Sequence, residues 1–359
     1  MLYELFLDLS EHVSVFNVFR YITFRIILAA LTSMSLWLIL GSWYIKTIKS
    51  FRVNQIVRED GPRGHSSKSG TPTMGGVLLL FTSFTACLLW INWSSGYVRI
   101  TWLVILLFGL VGFGDDYLKV TKKRNLGLTG KQKLMAQCVI GLLAGLLLNL
   151  IPSHTPVLTV PGLKFLSLDL GPLYALFATL ILVGSSNAVN LTDGLDGLAI
   201  GPIILAAATY MVFAYCSGNS VISNHLQILG VPGASEVAVL LAALIGGGLG
   251  FLWFNSYPAQ IFLGDVGSLS LGAALGMAAI VVKQELLLIL VGGLFVIEAL
   301  SVILQVTFFK ATRGRRILQM APLHHHFELL GWPESKITIR FWIIAIILSL
   351  AGLSTLKLR

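Results

Sequence analysis

The sequence predicts an all-α polytopic membrane protein of about ten transmembrane helices, with both termini on the periplasmic side and the functional site on the cytoplasmic face. Three observations carry this reading. The 359 residues are 56% hydrophobic and only 11% charged, with a mean hydropathy of +0.85, which excludes an ordinary water-soluble domain. About ten runs hold the roughly 18 apolar residues needed to cross ~30 Å of hydrocarbon. Lysine and arginine gather in alternate loops, and such loops stay in the cytoplasm.

Taken in order, the spans fall near 20–47, 73–92, 98–118, 132–151, 172–189, 195–217, 235–254, 261–281, 284–309 and 338–356. The whole chain, 1–359, reads as one integral-membrane domain. Its first 19 residues carry Glu4, Asp8 and Glu11 and lack a basic segment before a short apolar core, so no cleaved signal peptide is expected and insertion falls to the first span. Cys87, Cys138 and Cys216 lie in or beside spans without CxxC spacing and read as packing or lipid-facing residues. The ninth span, at about 26 residues, is too long for the bilayer unless tilted or broken. Gly292, Gly293 and the intramembrane Glu298 mark where a bend is expected.

The cytoplasmic loops are expected at about 44–72, 115–133, 188–197, 254–265 and 310–337. Three of them are strongly basic: Lys46, Lys49, Arg52, Arg58, Arg63 and Lys68 in the first, Lys119, Lys122, Lys123, Arg124, Lys131 and Lys133 in the second, and Lys310, Arg313, Arg315, Arg316 and Lys336 in the last. The periplasmic loop at about 152–171 and the turn at 282–283 carry only Lys164 and Lys283. Parity then brings every polar constellation to one membrane face. These are Asp115 and Asp116 in "FGDDYLK", Asn187, Asn190, Asp193 and Asp196 in "NAVNLTDGLDGLA", Asn255 and Asp265 in "FNSYPAQIFLGDVGS", and His324, His325 and His326 in "APLHHHFELLGWPE".

Each constellation has a plain structural reading beside the chemical one. Asp115 and Asp116 read as a solvated helix end paired with Lys119 at helical spacing, worth a few tenths of a kcal/mol. Yet the third span runs inward, so both carboxylates stand at the negative end of its dipole and repel each other, a conflict that a bound cation resolves. In "NAVNLTDGLDGLA" the polar residues recur every three positions, but Gly194 and Gly197 argue against a continuous helix. The plain alternative is a turn in which Asn190 ends one span and Asp196 caps the next. Two amides and two acids between apolar spans favour ligand binding, because a charge that slips into the hydrocarbon costs about 2.5–3.5 kcal/mol. The sequon Asn190-Leu191-Thr192 is set aside, since an inward loop is not glycosylated.

Asp265 reads as the N-cap of the eighth span, beside a small-residue stripe of Gly264, Ser268 and Gly272, although Ser would cap at lower desolvation cost. Gly246 and Gly250 fit close helix packing. Successive histidines point apart on any regular element, but in an extended segment His324 and His326 converge. Three of them in a basic loop suit phosphate binding and proton transfer near neutral pH. The glycine-rich basic stretch Arg58 to Gly76 reads as a positive-inside anchor or as a clamp over a polyanion, and it lacks P-loop spacing. Acids facing bases at a membrane edge favour a phosphorylated substrate bridged by Mg²⁺, with one lipid phosphate and one water-soluble partner.

In order and spacing, these four motifs resemble the polyprenyl-phosphate N-acetylhexosamine-1-phosphate transferase family over essentially the whole chain, and "HHHFELLGWPE" is similar to its muramoyl-pentapeptide branch. The resemblance implies Mg²⁺-dependent transfer of phospho-MurNAc-pentapeptide from UDP-MurNAc-pentapeptide to undecaprenyl phosphate, giving lipid I and UMP, in a multi-pass protein of the bacterial inner membrane. It further implies catalytic roles for Asp115, Asp116, Asp265 and His324. Asp265 is the implied metal ligand, with Asp115 and Asp116 as further candidates, and Asp115 the implied base for the lipid phosphate; a covalent phospho-enzyme on Asp265 is the family's alternative. Lys68, Lys119 and Lys133 resemble phosphate-contacting residues. Asn190, Asp193, Asp196, Asn255, Phe262 and Gln305 match positions lining the nucleoside and metal region, Phe262 stacking on uracil; Asn187 is a further substrate-binding candidate, and His325 and His326 complete a substrate-binding motif. The bend in span nine would then shape a groove for the prenyl chain. Expected partners are the two substrates and the lipid bilayer, with no nucleic acid and a homodimer left open. The competing readings are a sister transferase using UDP-GlcNAc and an organophosphate transporter, though a transporter sites its ligand near the midplane and no internal repeat is visible.

Overall fold

The computed structural model describes residues 2–51, 70–122, 127–161 and 167–357. After a short helix α1 (Leu2–Ser10) come α2 (Ile22–Ser50), α3 (Gly75–Trp90), α4 (Gly96–Thr121), α5 (Gly130–Leu148), α6 (Tyr174–Thr192), α7 (Ile200–Gly218), α8 (Ser220–Leu226), α9 (Ser235–Asn255), α10 (Gly264–Val281), α11 (Leu287–Val291), α12 (Gly293–Ala311), α13 (Leu323–Leu329) and α14 (Glu334–Ser354). Every expected span has its helix. Nine of the described helices are long and apolar enough to cross a membrane, and α3 adds a shorter apolar one of 16 residues. The protein is thus an all-helical, multi-pass membrane protein.

Local chemistry sets several boundaries. Thr129 and Gln132 form a capping box at the start of α5, each side chain accepting the other's backbone N–H at 3.3 and 3.1 Å. The expected break in the ninth span falls at Gly292, which separates α11 from α12. Two expected boundaries are corrected. The loop drawn from 115 begins only after Thr121, because α4 carries Asp115 and Asp116 within its length. Asp265 is not an N-cap: Leu263 holds that position, and Asp265 is the second residue of α10.

The core is built around α10, whose residues from Val266 to Val281 are all buried. It packs on α4 and α6, while α9 packs on α2 and α7. A Cβ on Gly246 would meet the Ala30 carbonyl and one on Gly250 the Trp37 side chain, so these two glycines let α9 lie against α2 as close packing expects. The connection expected as a simple outer loop contains a hairpin, β1 (Val157–Thr159) antiparallel to β2 (Ser167–Asp169). It covers the buried turn Val282–Glu285, where Thr159 Oγ1 donates to the Lys283 carbonyl at 2.5 Å. Both termini lie at this end of the bundle: Phe6 of α1 stacks on Trp90, and Lys357 lies 3.4 Å from His225.

Candidate active site

At the other end, the C-terminal turns of α4 and α6 meet the N-terminus of α10. Glycines permit this approach. A Cβ on Gly112 would collide with the Asp265 carbonyl, and one on Gly76 with the backbone of Gly267. Gly264 adopts φ +76°, which L side chains rarely take, and a Cβ there would lie 2.6 Å from Asp116 Oδ2. The result is a cluster in which Asp115, Asp116 and Asp265 each place a carboxylate oxygen within 4.8 Å of the others.

Two lysines balance much of this charge. Asp265 Oδ2 lies 2.7 Å from Lys133 Nζ and 3.1 Å from Lys119 Nζ, and Asp265 Oδ1 accepts from Asn190 Nδ2 at 2.9 Å. Lys119 Nζ also reaches Asp115 Oδ2 at 2.5 Å and Asp116 Oδ1 at 3.7 Å. The Leu128 N–H donates to Asp115 Oδ1 at 2.9 Å, and the Val266 N–H, in the first turn of α10, donates to Asp116 Oδ2 at 3.3 Å. The two acids at the negative end of α4, expected to be only partly offset by Lys119, are therefore met by Lys119 and, at Asp116, by the positive end of α10, while Lys133 meets Asp265. Three carboxylates against two ammonium groups still leave negative charge. Clustered carboxylate oxygens are the donor set that a hard divalent ion such as Mg²⁺ prefers, so these residues fit that ion. Lys119 is one-third exposed, which leaves the cluster open to a ligand.

The loop after α6 borders this cluster. Asp193 is the C-cap of α6, and burial, with the negative charges of Asp265, Asp116 and Asp196 around it, pushes its carboxyl up to about 8. A Cβ on Gly194 would strike the imidazole of His324, so that ring and the loop are in direct contact. His324 is fully buried, and its Nδ1 lies 3.3 Å from Glu298 Oε2. Glu298 also accepts the N–H groups of Leu323 and His324 at 2.8 and 3.2 Å. The three histidines lie on the helix α13, not on an extended segment, and so His324 and His326 do not converge. His325 Nδ1 pairs with Glu328 at 2.6 Å, and His326 Nδ1 accepts from the Gln319 N–H at 3.2 Å.

Other expected residues have protein partners. Asn187 donates to Gln137 at 2.7 Å and to the Val183 carbonyl at 2.8 Å, which ties α6 to α5 instead of reaching the carboxylates. Asn255 accepts from the Gly197 N–H and donates to the Ile261 carbonyl, joining two loops of the site. Asp196 accepts from the Ala259 N–H at 2.9 Å. The Phe262 backbone pairs with Pro72 and Gly75, and Gln305 bonds Ile317 and Leu318 to close the last loop. Lys68, with Arg58 and Arg63, lies outside the described residues. Sequence reasoning missed Ser268 as a partner of Asn190, at 2.8 Å, and Glu334, which accepts the Asp196 N–H at 2.7 Å. The acid in "GWPE" signals a helix first turn and nothing about its distant partner.

Fold and site together define a multi-pass membrane protein whose helix ends assemble a carboxylate and lysine centre, the class of glycosyl transferase family 4, whose model matches residues 98–283. A phospho-N-acetylmuramoyl-pentapeptide-transferase signature matches residues 68–80. Proteins named phospho-N-acetylmuramoyl-pentapeptide-transferase from Desulfosudis oleivorans and Solidesulfovibrio magneticus are each 55% identical, and one from a Geobacter species is 51% identical, over 100% of both chains. The chain belongs to the phospho-N-acetylmuramoyl-pentapeptide-transferase family.

Proposed function

We propose that this protein transfers phospho-MurNAc-pentapeptide from UDP-MurNAc-pentapeptide to undecaprenyl phosphate, yielding lipid I and UMP, at the cytoplasmic face of the bacterial inner membrane. The observation that carries this reading is the full-length identity to transferases of that name, and the lysine-bridged carboxylate cluster supplies matching chemistry. The basic loops flanking the site end argue for its cytoplasmic placement, which puts both termini in the periplasm.

In the reaction, an oxygen of the lipid phosphate attacks the β-phosphorus of the donor. The bond to the UMP oxygen breaks, UMP leaves with the electron pair, and the new diphosphate links sugar to lipid. The main barrier is bringing two polyanions together. Lys119 and Lys133 are placed to exchange carboxylate for phosphate contacts, and Asp265, flanked by Asp115 and Asp116, would hold Mg²⁺. When bound, that ion supplies neutralisation of charge on the transferring phosphoryl group. Both oxygens of Asp265 are already engaged, by Asn190 on one side and two ammonium groups on the other, which suits a fixed ligand better than an attacking nucleophile. Asp115 takes the proton when the lipid phosphate arrives as its monoanion. A phosphate monoester has its second pKa near 6, so this help is small at neutral pH.

The test supplies purified protein with Mg²⁺, undecaprenyl phosphate and either UDP-MurNAc-pentapeptide or UDP-GlcNAc, and follows UMP release. Release with the muramoyl donor alone is expected. Release with UDP-GlcNAc and not with the muramoyl donor would overturn the assignment in favour of a sister transferase.

A further inference from the structure

The turn Leu195–Leu198 is held in an unusual way. Both N–H groups and both carbonyls of Asp196 and Gly197 are bonded by side chains from other elements. The Asp196 N–H donates to Glu334 Oε1 at 2.7 Å, and its carbonyl accepts from Thr338 Oγ1 at 3.3 Å. The Gly197 N–H donates to Asn255 Oδ1 at 3.0 Å, and its carbonyl accepts from Trp342 Nε1 at 3.1 Å. A turn at a membrane edge ordinarily leaves such groups to water. Three of the four partners, Glu334, Thr338 and Trp342, are spaced four apart on α14 and so form one stripe of that helix. On either side of the bonded pair, Leu195 and Leu198 sit in an apolar cluster with Ile337, Phe341 and Ala345 of α14 and with Leu294 of α12. Gly197 has φ +71°, so the turn also depends on a residue that accepts left-handed backbone.

This turn is continuous with the site. Two residues before Leu195 stands Asp193, among the charges of Asp116 and Asp265, and the intervening Gly194 touches His324. From its far side, Asp196 holds the Ala259 N–H in the loop that leads to Asp265. A shift of the 196–197 peptide therefore moves two walls of the carboxylate cluster together.

We propose that α14 is a template for this loop and that Glu334 is a positioning residue of the transferase, acting through the Asp196 N–H and touching no reacting atom. The proposal rests on the transferase reading for its kinetic consequence and on geometry alone for its structural one. Glu334→Ala removes the acceptor, whereas Glu334→Gln keeps an oxygen that accepts the same N–H.

The experiment uses the full-length purified protein and measures amide hydrogen exchange, thermal unfolding and UMP release for wild type and both variants. Glu334→Ala is expected to speed exchange at 195–198 while α4 and α10 stay protected, and to lower kcat about tenfold with the unfolding temperature little changed. Glu334→Gln is expected to restore both the protection and most of the activity. Wild-type exchange in Glu334→Ala would overturn the clamp. Equal damage in the two variants would overturn positioning through a hydrogen bond in favour of a charge effect, and exchange accelerated across every helix would mark a structural residue only. Should wild type fail to turn over the muramoyl donor, the functional reading falls while the exchange pattern still decides the clamp.

Discussion

Two ionic clusters lie buried at opposite ends of this bundle, and they are built on opposite principles. At the end that carries the termini, Arg25 of α2 and Glu236 of α9 form a bidentate pair at 2.6 and 2.8 Å, with Arg25 also donating to the Trp90 carbonyl and the Asn92 N–H donating to Glu236. One charge meets one charge, and both terminal nitrogens of Arg25 are bonded within the protein. At the other end three carboxylates share two lysines, the balance remains negative, and Lys119 stays partly exposed. A closed pair stabilises an arrangement of helices. An unbalanced, open cluster leaves charge for a ligand to meet, and in the proposed reaction those ligands are phosphates and a divalent ion.

The turn Lys283–Glu285 is a third case, close in kind to the first. Lys283 faces Glu285 at 3.3 Å and the Tyr174 ring at 3.8 Å, and Tyr174 donates to Glu285 at 2.5 Å. Burial lowers the pKa of the Lys283 ammonium and raises that of the Glu285 carboxyl, while each partner's charge opposes its shift. The same surroundings hold His154 down at about 4, through burial and the nearby Lys283 charge.

Breaking each cluster in turn should separate activity from stability. The largest effect is expected from Asp265→Asn, which should cut UMP release about 10³-fold or more at every pH while leaving thermal unfolding close to wild type. A collapse of the fold in this variant would erase the distinction between the two ends. Next comes Glu236→Ala, which strands a buried guanidinium and should cost about 3–5 kcal/mol of stability, read as an earlier thermal transition in detergent. The protein that remains folded should retain near-wild-type kcat. Replacing Arg25 and Glu236 together by leucine should recover much of the lost stability, since apolar pairs substitute well for closed buried ion pairs.

Asp115→Asn should show an intermediate loss that depends on pH. Below the second pKa of the lipid phosphate, near 6, the acceptor is largely monoanionic and needs a base, so the loss should reach about 10²-fold. As pH rises through that value the dianion takes over and the loss should shrink; an equal loss at all pH values would remove Asp115 from the role of base. The smallest effect is expected from Gly194→Ala. Its methyl group must push the His324 ring aside, and UMP release should fall about tenfold with no change in the Arg25–Glu236 end. Full activity would show that the contact between loop and imidazole is incidental.

Much of this was legible in the residues. The spans followed from apolar run lengths, the break in the ninth from Gly292, and the gathering of the polar motifs at one end from loop parity. Less legible was what each polar residue touches. Asn187 stands in the same motif as Asn190 and Asn255 in the same motif as Asp265, yet of the three amides only Asn190 bonds Asp265. Spacing along the chain could not rank them, because the direction of each amide depends on which helix packs beside it. The histidines lie on a helix and not on the extended segment in which His324 and His326 would converge, and Glu298, legible in the sequence only as a polar residue at a bend, holds the first turn of that helix.

By itself the sequence determined which segments form the apolar helices of a multi-pass membrane protein, which residue types stand at their ends and which family of transferases the chain resembles. Hydropathy, turn chemistry and charge bias are local properties, and a single chain displays them in order. Only the tertiary structure decided that Lys133 meets Asp265, that α14 bonds the Asp196–Gly197 peptide and that Lys283 and Glu285 are enclosed beneath a hairpin. These are pairings between residues far apart in sequence. At the carboxylate cluster, glycines at Gly112, Gly76 and Gly264 let backbones approach closely, and the distance between two charges, not their presence, sets the energy of their interaction.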